Sequence, residues 1–413
     1  MRDILHSDLN NFYASVECMK DPSIKDKAVV VCGSIKDRHG IVLAKNQIAK
    51  KLGVKTGQTL WEVRNLVGNV PLVEKEADFK LYKEISKQVK AIYANYTDRV
   101  ESFGIDEAWI DVTHSGIFGK PMSIAKDISE KIKKNFNLTV SIGVSFNKVF
   151  AKLGSDMKKP DAITEIPYNN FKNIVYPLPV ADLIYVGRQT EKKLNKIGIE
   201  TIGDIEKVGK VVMKNILGKW GEYLYDFATG NDQSEVKSTY DKSIIKSVGN
   251  STTIYRDLSK ESEIVSVISI LCDSICSRLK DYGIYKVRTI GLSLKDFNLQ
   301  SYHKQIKLDY PSSNSFDFLL KAKQLLKLIW NYTPIRSIGV WVTDFVENSE
   351  QLTFFDYINK QDKNYKLDNV VKILKEKFGN NIIHRAVETI DEKISKFNPK
   401  EDNTIHPVCF FSP

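Results

Sequence analysis

Cysteine is scarce, with five in 413 residues, and an odd number in a chain this long builds no disulfide framework. The closest pair, Cys272 and Cys276, lacks His or Cys companions at zinc-ligand spacing. At i and i+4 of an expected helix the two read as apolar surface to be buried. No stretch approaches the roughly 18 apolar residues of a membrane span, and the start, "MRDILHSDLNNFYASVE", has too short an apolar run for a signal peptide. A cytoplasmic protein with no membrane partner is expected. Internal repeats and low-complexity tracts are missing too, which excludes repeat architectures.

What is present is core material and positive charge. Hydrophobic residues make up 42% and aromatics 10% of the chain, enough for two to four domains. The 61 Lys and Arg exceed the 51 Asp and Glu, giving a formal charge of +10 and a pI near 9.0. Such an excess suits a polyanionic partner, of which nucleic acid is the commonest, although a lysine-rich solvated surface has the same composition.

Over the first 165 residues or so, short β-branched runs such as "AVVVCG" alternate with helical patterns, an α/β or α+β texture. In "FKLYKEISKQVKAIYANY" the residues Leu81, Ile85, Val89 and Ile92 share one face, which predicts an amphipathic helix lying on a sheet. From about Tyr168 the pattern changes to short helices separated by glycines, and "NDQSEVKSTYDK" then reads as a linker. Beyond it four alternating segments, from "SIIKSVGNSTTIY" to "SIGVWVTDF", enclose two helical ones, so two helices on one face of an antiparallel sheet are expected. After residue 347 the pattern fades into a polar tail with one amphipathic helix, "NVVKILKEKFG".

Two places draw attention chemically. In "DILHSDLNNFYASVE" the two-residue strand period sets Ile4, His6 and Asp8 on one face, with Asp8 at the strand end, placed to hold a cation or to cap a helix. In "SFGIDEAWIDV" the adjacent acids Asp106 and Glu107 interrupt an apolar run. Like charges beside buried residues are costly unless a cation compensates them. Either a divalent metal resolves this conflict or "GIDE" is an exposed hairpin tip.

"DLNNFYASVE", "GIDEAWIDV" and "SIGVSFNKVFAKLGSDMKKPDAI" together resemble the palm and finger motifs of the Y-family, or translesion, DNA polymerases, in the branch of bacterial DNA polymerase IV, and the likeness runs over about residues 1–345. It implies an α+β multidomain right-hand polymerase. The palm would be ferredoxin-like (1–10 and 78–166), the fingers small (11–77) and the thumb helical, of helix-hairpin-helix type (167–231). A linker (232–241), an antiparallel-sheet little finger with two helices (242–346) and a tail (347–413) would complete it.

By the same resemblance Asp8, Asp106 and Glu107 match the metal-binding, catalytic carboxylates, and the backbone carbonyl of Leu9 completes a metal shell. Phe12 and Tyr13 match the aromatic pair at the nucleotide sugar, with Tyr13 as the steric gate that collides with a ribose 2′-hydroxyl. Lys159 matches the palm lysine at the triphosphate. In the fingers the family often has Tyr and Arg where this chain has Gln47 and Lys50, a point charge in place of a bidentate fork; Lys45 shares that task. Gly187 is what remains of the glycine-rich phosphate-binding turn. Lys246, Arg256, Lys286 and Arg288 are candidate duplex contacts, and "QLTFF", with Gln351, Leu352, Phe354 and Phe355, resembles the bacterial sliding-clamp-binding motif.

The function implied is template-directed, low-fidelity addition of deoxynucleotides to a primer 3′ end by two-metal phosphoryl transfer, in DNA damage tolerance and repair. Its cofactor would be two Mg²⁺ ions, with Mn²⁺ as substitute. Its partners would be primer-template DNA, deoxynucleoside triphosphates and the clamp, the protein itself being a monomer. A nucleotidyl cyclase-like palm enzyme and a non-catalytic DNA- and clamp-binding scaffold are the alternatives, and Asp111 is left as structural.

Overall fold

A computed structural model describes residues 2–33, 35, 40–241, 245–284, 286–346, 357–379 and 382–399. They form two compact units, one over 2–33 and 41–241, the other mainly within 245–399.

In the first unit β1 (Ile4–Leu9) runs into α1 (Phe12–Lys20). A small lobe follows: β2 (Ala28–Cys32), β3 (Val42–Lys45), α2 (Gln47–Lys51), α3 (Leu60–Val67) and β4 (Leu72–Glu76), its three strands in the order β3-β2-β4. Asn46 ties the lobe together, because its Oδ1 accepts from Ala49 N at 3.0 Å, capping α2, and from Val29 N at 3.1 Å. The chain then forms α4 (Phe79–Ala94), β5 (Val100–Ser102), β6 (Glu107–Asp111), α5 (Pro121–Phe136), β7 (Val140–Ser145), α6 (Lys148–Met157) and β8 (Ile163–Ile166).

The main sheet has the order β5-β6-β1-β7-β8, with β1 antiparallel to both neighbours and β8 parallel to β7. Without its edge strand β8 this is the ferredoxin-like arrangement. One face is covered by α4 and α5, whose Tyr82, Ile85, Val89, Ile124, Ile128 and Ile132 pack with Leu5, Val140 and Ile142. The expected stripe on α4 is thus centred on buried Tyr82, while Leu81 is only half-buried. The other face carries α6 at very short range. A Cβ on Gly143 of β7 would lie 1.9 Å from the carbonyl oxygen of Ala151, so only glycine lets the helix rest on the strand.

Helices α7 (Phe171–Val175), α8 (Arg188–Asn195), α9 (Ile202–Val208), α10 (Lys210–Leu217) and α11 (Lys219–Ala228) make a separate helical core around Val175, Leu194, Ile202, Met213 and Leu224. Residues 232–241, the stretch expected as a linker, form no helix or strand and are fastened along the first unit as a strap. Arg2 donates to the carbonyls of Asp232 and Ser234, each at 2.6 Å, Thr239 N donates to Asp98 O at 2.8 Å, and Val236 is buried with Ile4, Trp109 and Ala151. Beneath the strap Lys148 Nζ pairs with Glu101 Oε2 at 2.7 Å, and that same oxygen accepts from Lys237 N at 3.0 Å. A polar sequence bound by its backbone leaves no hydrophobic period to read.

The second unit holds β9 (Ser247–Leu258), α12 (Glu261–Asp281), β10 (Lys286–Asp296), β11 (Ser301–Ser312), α13 (Ser315–Ile329) and β12 (Ile335–Val346), with antiparallel strands in the order β11-β10-β12-β9. Its core joins the sheet to α12 and α13, and Cys272 and Cys276 are buried in it. The tail is more structured than expected. Helix α14 (Tyr357–Phe378) is twice the length anticipated, and 382–399, including α15 (Glu392–Ser395), fold back on α12. Glu388 accepts from Ser269 at 2.7 Å, and Arg385 pairs with Asp273 and Asp368 at 3.2 and 3.1 Å. Gln351, Leu352, Phe354 and Phe355 lie outside the described residues.

Candidate active site

Strand β1 and the β5–β6 hairpin bring the acids together. Asp8 and Glu107 are direct register partners, and Leu9 N donates to Asp106 O at 3.1 Å, which fastens the hairpin tip to the end of β1. There the chain turns through Asn11, in the left-handed region, into α1 with Phe12 and Tyr13. A cavity of about 430 Å³ opens at this point, lined by Asp8, Leu9, Phe12, Tyr13, Lys45, Asp106 and Lys159 among others. Seven residues singled out in the sequence therefore converge on it.

Each carboxylate has a different electrostatic setting. Asp8 Oδ2 meets Lys159 Nζ at 2.7 Å, and the same ammonium holds Asp156 at 2.7 Å. Burial raises the Asp8 carboxyl above its ordinary range, opposed by Lys159. Lys159 is itself raised, because burial is outweighed by its two acidic partners. Glu107 pairs with Lys152 of α6 at 2.5 Å and lies 3.3 Å from His6 Nε2. Burial would push it up, but His6 and Lys152 bring it down to about 2. Asp106 is pushed up to about 6, first by burial and then by the charges of Glu107 and Asp8.

His6 is fully buried, and Ser155 settles its tautomer. The Ser155 hydroxyl donates to Lys152 O at 2.7 Å, so it accepts from His6 Nδ1–H at 2.8 Å. In the neutral ring Nε2 is then bare, and only a proton there gives Glu107, 3.3 Å away, the hydrogen bond through which His6 lowers its carboxyl.

The donor set, three carboxylates with the Leu9 carbonyl beside them, is the hard-oxygen chemistry that Mg²⁺ takes. Among the described residues no three such side chains converge as a finished cage. Asp8 and Glu107 turn towards Lys159 and Lys152 instead, so the set fits by type and needs those pairs to yield.

Tyr13 stacks on Tyr82 of α4, with ring centroids 4.4 Å apart and planes inclined by 13°. Its hydroxyl is pushed up to about 12, by burial and by the charge of Asp106. Lys45 Nζ donates to Thr56 at 3.0 Å, and burial and Lys50 lower its pKa. Lys50 itself is exposed and outside the cavity lining. Asp111 accepts from Thr113 N at 3.0 Å, a structural role as expected.

Among the nucleic-acid candidates Gly187 is the N-cap of α8, without a side-chain cap, so the first N–H groups of that helix point outward. Lys246, Lys286 and Arg288 are exposed. Arg256 is not available in the same way: it pairs with Glu263 at 2.8 Å and Asp391 at 2.9 Å, and so ties the folded-back tail to β9.

Reasoning from the sequence missed His6 as a neighbour of Glu107, together with Lys152 and Tyr82. The strand period already set His6 beside Asp8. Lys152 was legible only as a lysine inside the mostly apolar stretch "KVFAKLG".

Comparison with known proteins agrees with this architecture. The impB/mucB/samB family matches residues 7–156, its C-terminal domain matches 245–354, and a thumb domain described for DNA polymerase-iota matches 181–232. The chain is 46% identical over 399 residues to a DNA polymerase IV of Acetivibrio thermocellus, covering 96% of this chain and 99% of that one. It is 33% identical to a DNA polymerase IV of Bacillus velezensis, over 93% and 92% of the two chains. Among solved structures it resembles a Y-family DNA polymerase chimera, at a TM-score of 0.72 and 23% identity over 84% of this chain and all of that one. An insertion ternary complex of Dbh DNA polymerase gives a TM-score of 0.59 at 23% identity over the same shares. At such identity the structures speak for the fold, and the relatives for the rest: the chain belongs to the impB/mucB/samB family and is a Y-family, translesion DNA polymerase of the DNA polymerase IV branch.

Proposed function

We propose that the nucleotide joins the primer 3′ end in the 430 Å³ cavity, with Asp8, Asp106, Glu107 and the Leu9 carbonyl holding two Mg²⁺ ions, for which Mn²⁺ can substitute. The supporting observation is the common lining: Asp8, Leu9, Phe12, Tyr13, Lys45, Asp106 and Lys159 all face one space. Bound there, the metal pair would activate the attacking hydroxyl and neutralise charge on the leaving oxygen. Everything else falls to side chains. Lys159 is a cation already shared between two acids, so a triphosphate offers it a third anion, and it can give a proton to departing pyrophosphate. Lys45, with Lys50 close by, meets the triphosphate from the finger side. Tyr13, backed by Tyr82, excludes a 2′-hydroxyl by collision.

Primer-template DNA is held by its phosphates at the α8 N-terminus after Gly187 and at Lys246, Lys286 and Arg288, contacts that position a duplex without reading it. Gln351, Leu352, Phe354 and Phe355 dock a bacterial sliding clamp, a reading supported by the pentapeptide pattern alone. Primer extension with Asp106→Ala tests the site. Extension by the unaltered protein and none by the variant is expected, and equal activity in both sinks the assignment. For the clamp, Phe354→Ala with Phe355→Ala should abolish stimulation by added clamp.

A further inference from the structure

The tip of the β5–β6 hairpin is held by three consecutive carbonyls, each with its own donor. Lys90 Nζ of α4 donates to Gly104 O at 2.7 Å, Ser86 Oγ of the same helix donates to Ile105 O, and Leu9 N of β1 donates to Asp106 O at 3.1 Å. Ser86 and Lys90 stand at i and i+4, one helical turn apart, so they form a polar notch in the otherwise apolar face of α4. The Lys90 ammonium, half-buried and donating to Gly104 O, also lies near enough to Asp106 and Glu107 to feel their charges, so the notch of α4 faces the acids as well as the turn. The tip is also wrapped around its own acids. Gly104 lies beside both acids: a Cβ there would sit in ordinary contact with Asp106 Oδ1, at 3.4 Å, and with the Glu107 side chain, at 3.8 Å. One turn earlier on α4, Tyr82 supports Tyr13.

We infer that Ser86 and Lys90 are positioning residues of the polymerase reaction: they clasp the hairpin tip so that Asp106 and Glu107 are held in register with Asp8. The inference rests on the assignment of those carboxylates proposed above. Neither residue lines the cavity, so each acts through the backbone of 104–106 and not on the nucleotide.

The test measures steady-state primer extension by the full chain at saturating Mg²⁺, for Ser86→Ala, Lys90→Met, their combination, Lys90→Gln and Asp106→Ala. Displacing a catalytic group by a fraction of an ångström should lower kcat, and about tenfold is expected for the double variant. The KM for nucleotide and the Kd for primer-template should stay within about twofold, because binding contacts are untouched. Lys90→Gln, which donates without charge, should keep most of the activity. Thermal melts establish that each variant folds; if the double variant does not, the single ones carry the same comparison. A double variant, or failing it both single variants, with kcat within about twofold of the unaltered protein, and Asp106→Ala inactive, overturns the clasp alone. Loss in Lys90→Gln equal to that in Lys90→Met also overturns it, since charge and not the hydrogen bond would then matter. An active Asp106→Ala overturns the site assignment and the clasp with it.

Discussion

Tyr13 lies flat against Tyr82, and Tyr82 is in turn anchored by donating its hydroxyl to Glu17 Oε1 at 2.6 Å. The proposed gate is therefore a ring with a wall behind it. Tyr13→Ala should raise kcat/KM for ribonucleotides relative to deoxynucleotides by roughly 10–100-fold, the range in which removing one steric conflict operates. Tyr82→Ala should relax discrimination less, because Tyr13 remains but gains room to retreat. It should also destabilise the fold by about 3 kcal/mol, as truncations of buried aromatics do. The ratio of the two kcat/KM values and a denaturation curve check both.

Asp106 makes the site sensitive to acid. In the metal-free site its pKa is raised to about 6, so the ionised form is lost as pH falls through 6, and the proposed binding of a divalent cation there should weaken with it. The effect on metal-free stability has the opposite sign. A carboxyl raised above its unfolded value favours the folded state when protonated, so stability should increase as pH drops from 7 towards 4. Asp106→Asn should stabilise the metal-free protein at pH 7, by on the order of 2 kcal/mol. Melts across pH in chelator, with and without the substitution, measure this, and a variant no more stable than its parent at pH 7 contradicts it.

The buried pair of Lys148 and Glu101 under the strap should be hard to break. Lys148 Nζ also lies 4.4 Å from the Trp109 ring centre and Glu101 Oε1 has no hydrogen-bond partner, so removing the ammonium leaves a buried carboxylate with the Lys237 N–H but no countercharge. Lys148→Met should cost about 3–5 kcal/mol in urea denaturation of the first unit. Replacing both residues with apolar ones should recover much of that loss.

Salt dependence separates the candidate DNA contacts. Lys286→Ala and Arg288→Ala should each reduce the slope of log Kd against log salt by about one. Arg256→Ala should leave that slope unchanged and loosen the tail through loss of Glu263 and Asp391, visible as faster proteolysis within 382–399. A reduced slope for Arg256→Ala would return it to the DNA contacts.

Much of the site was legible because its parts are local. The strand period set Asp8 on a face, and the apolar run around Asp106 and Glu107 marked a hairpin that had to hold charge against a core. The partners of those acids were not legible. Lys152 reaches Glu107 only because Gly143 lets α6 touch the sheet, a contact between positions eight to twelve residues apart whose cause is the absence of a side chain. Ser86 looked like one more polar residue on an amphipathic helix, and its acceptor lies 19 residues away. The folded-back tail depends on half-buried ion pairs such as Arg385 with Asp368, which leave no periodic signature.

The strap also decides where this chain can be cut. By secondary structure the catalytic unit ends with α11, and a fragment stopping at residue 231 would seem complete. Such a fragment would lack the carbonyls that Arg2 holds, the backbone N–H that Lys237 gives to Glu101, and Val236 over Trp109. A fragment extended to 241 keeps all of them. The folding boundary of the polymerase core thus falls thirteen residues beyond the end of α11, and protease trimming that halts near 241 should leave a soluble fragment where trimming to 231 should not.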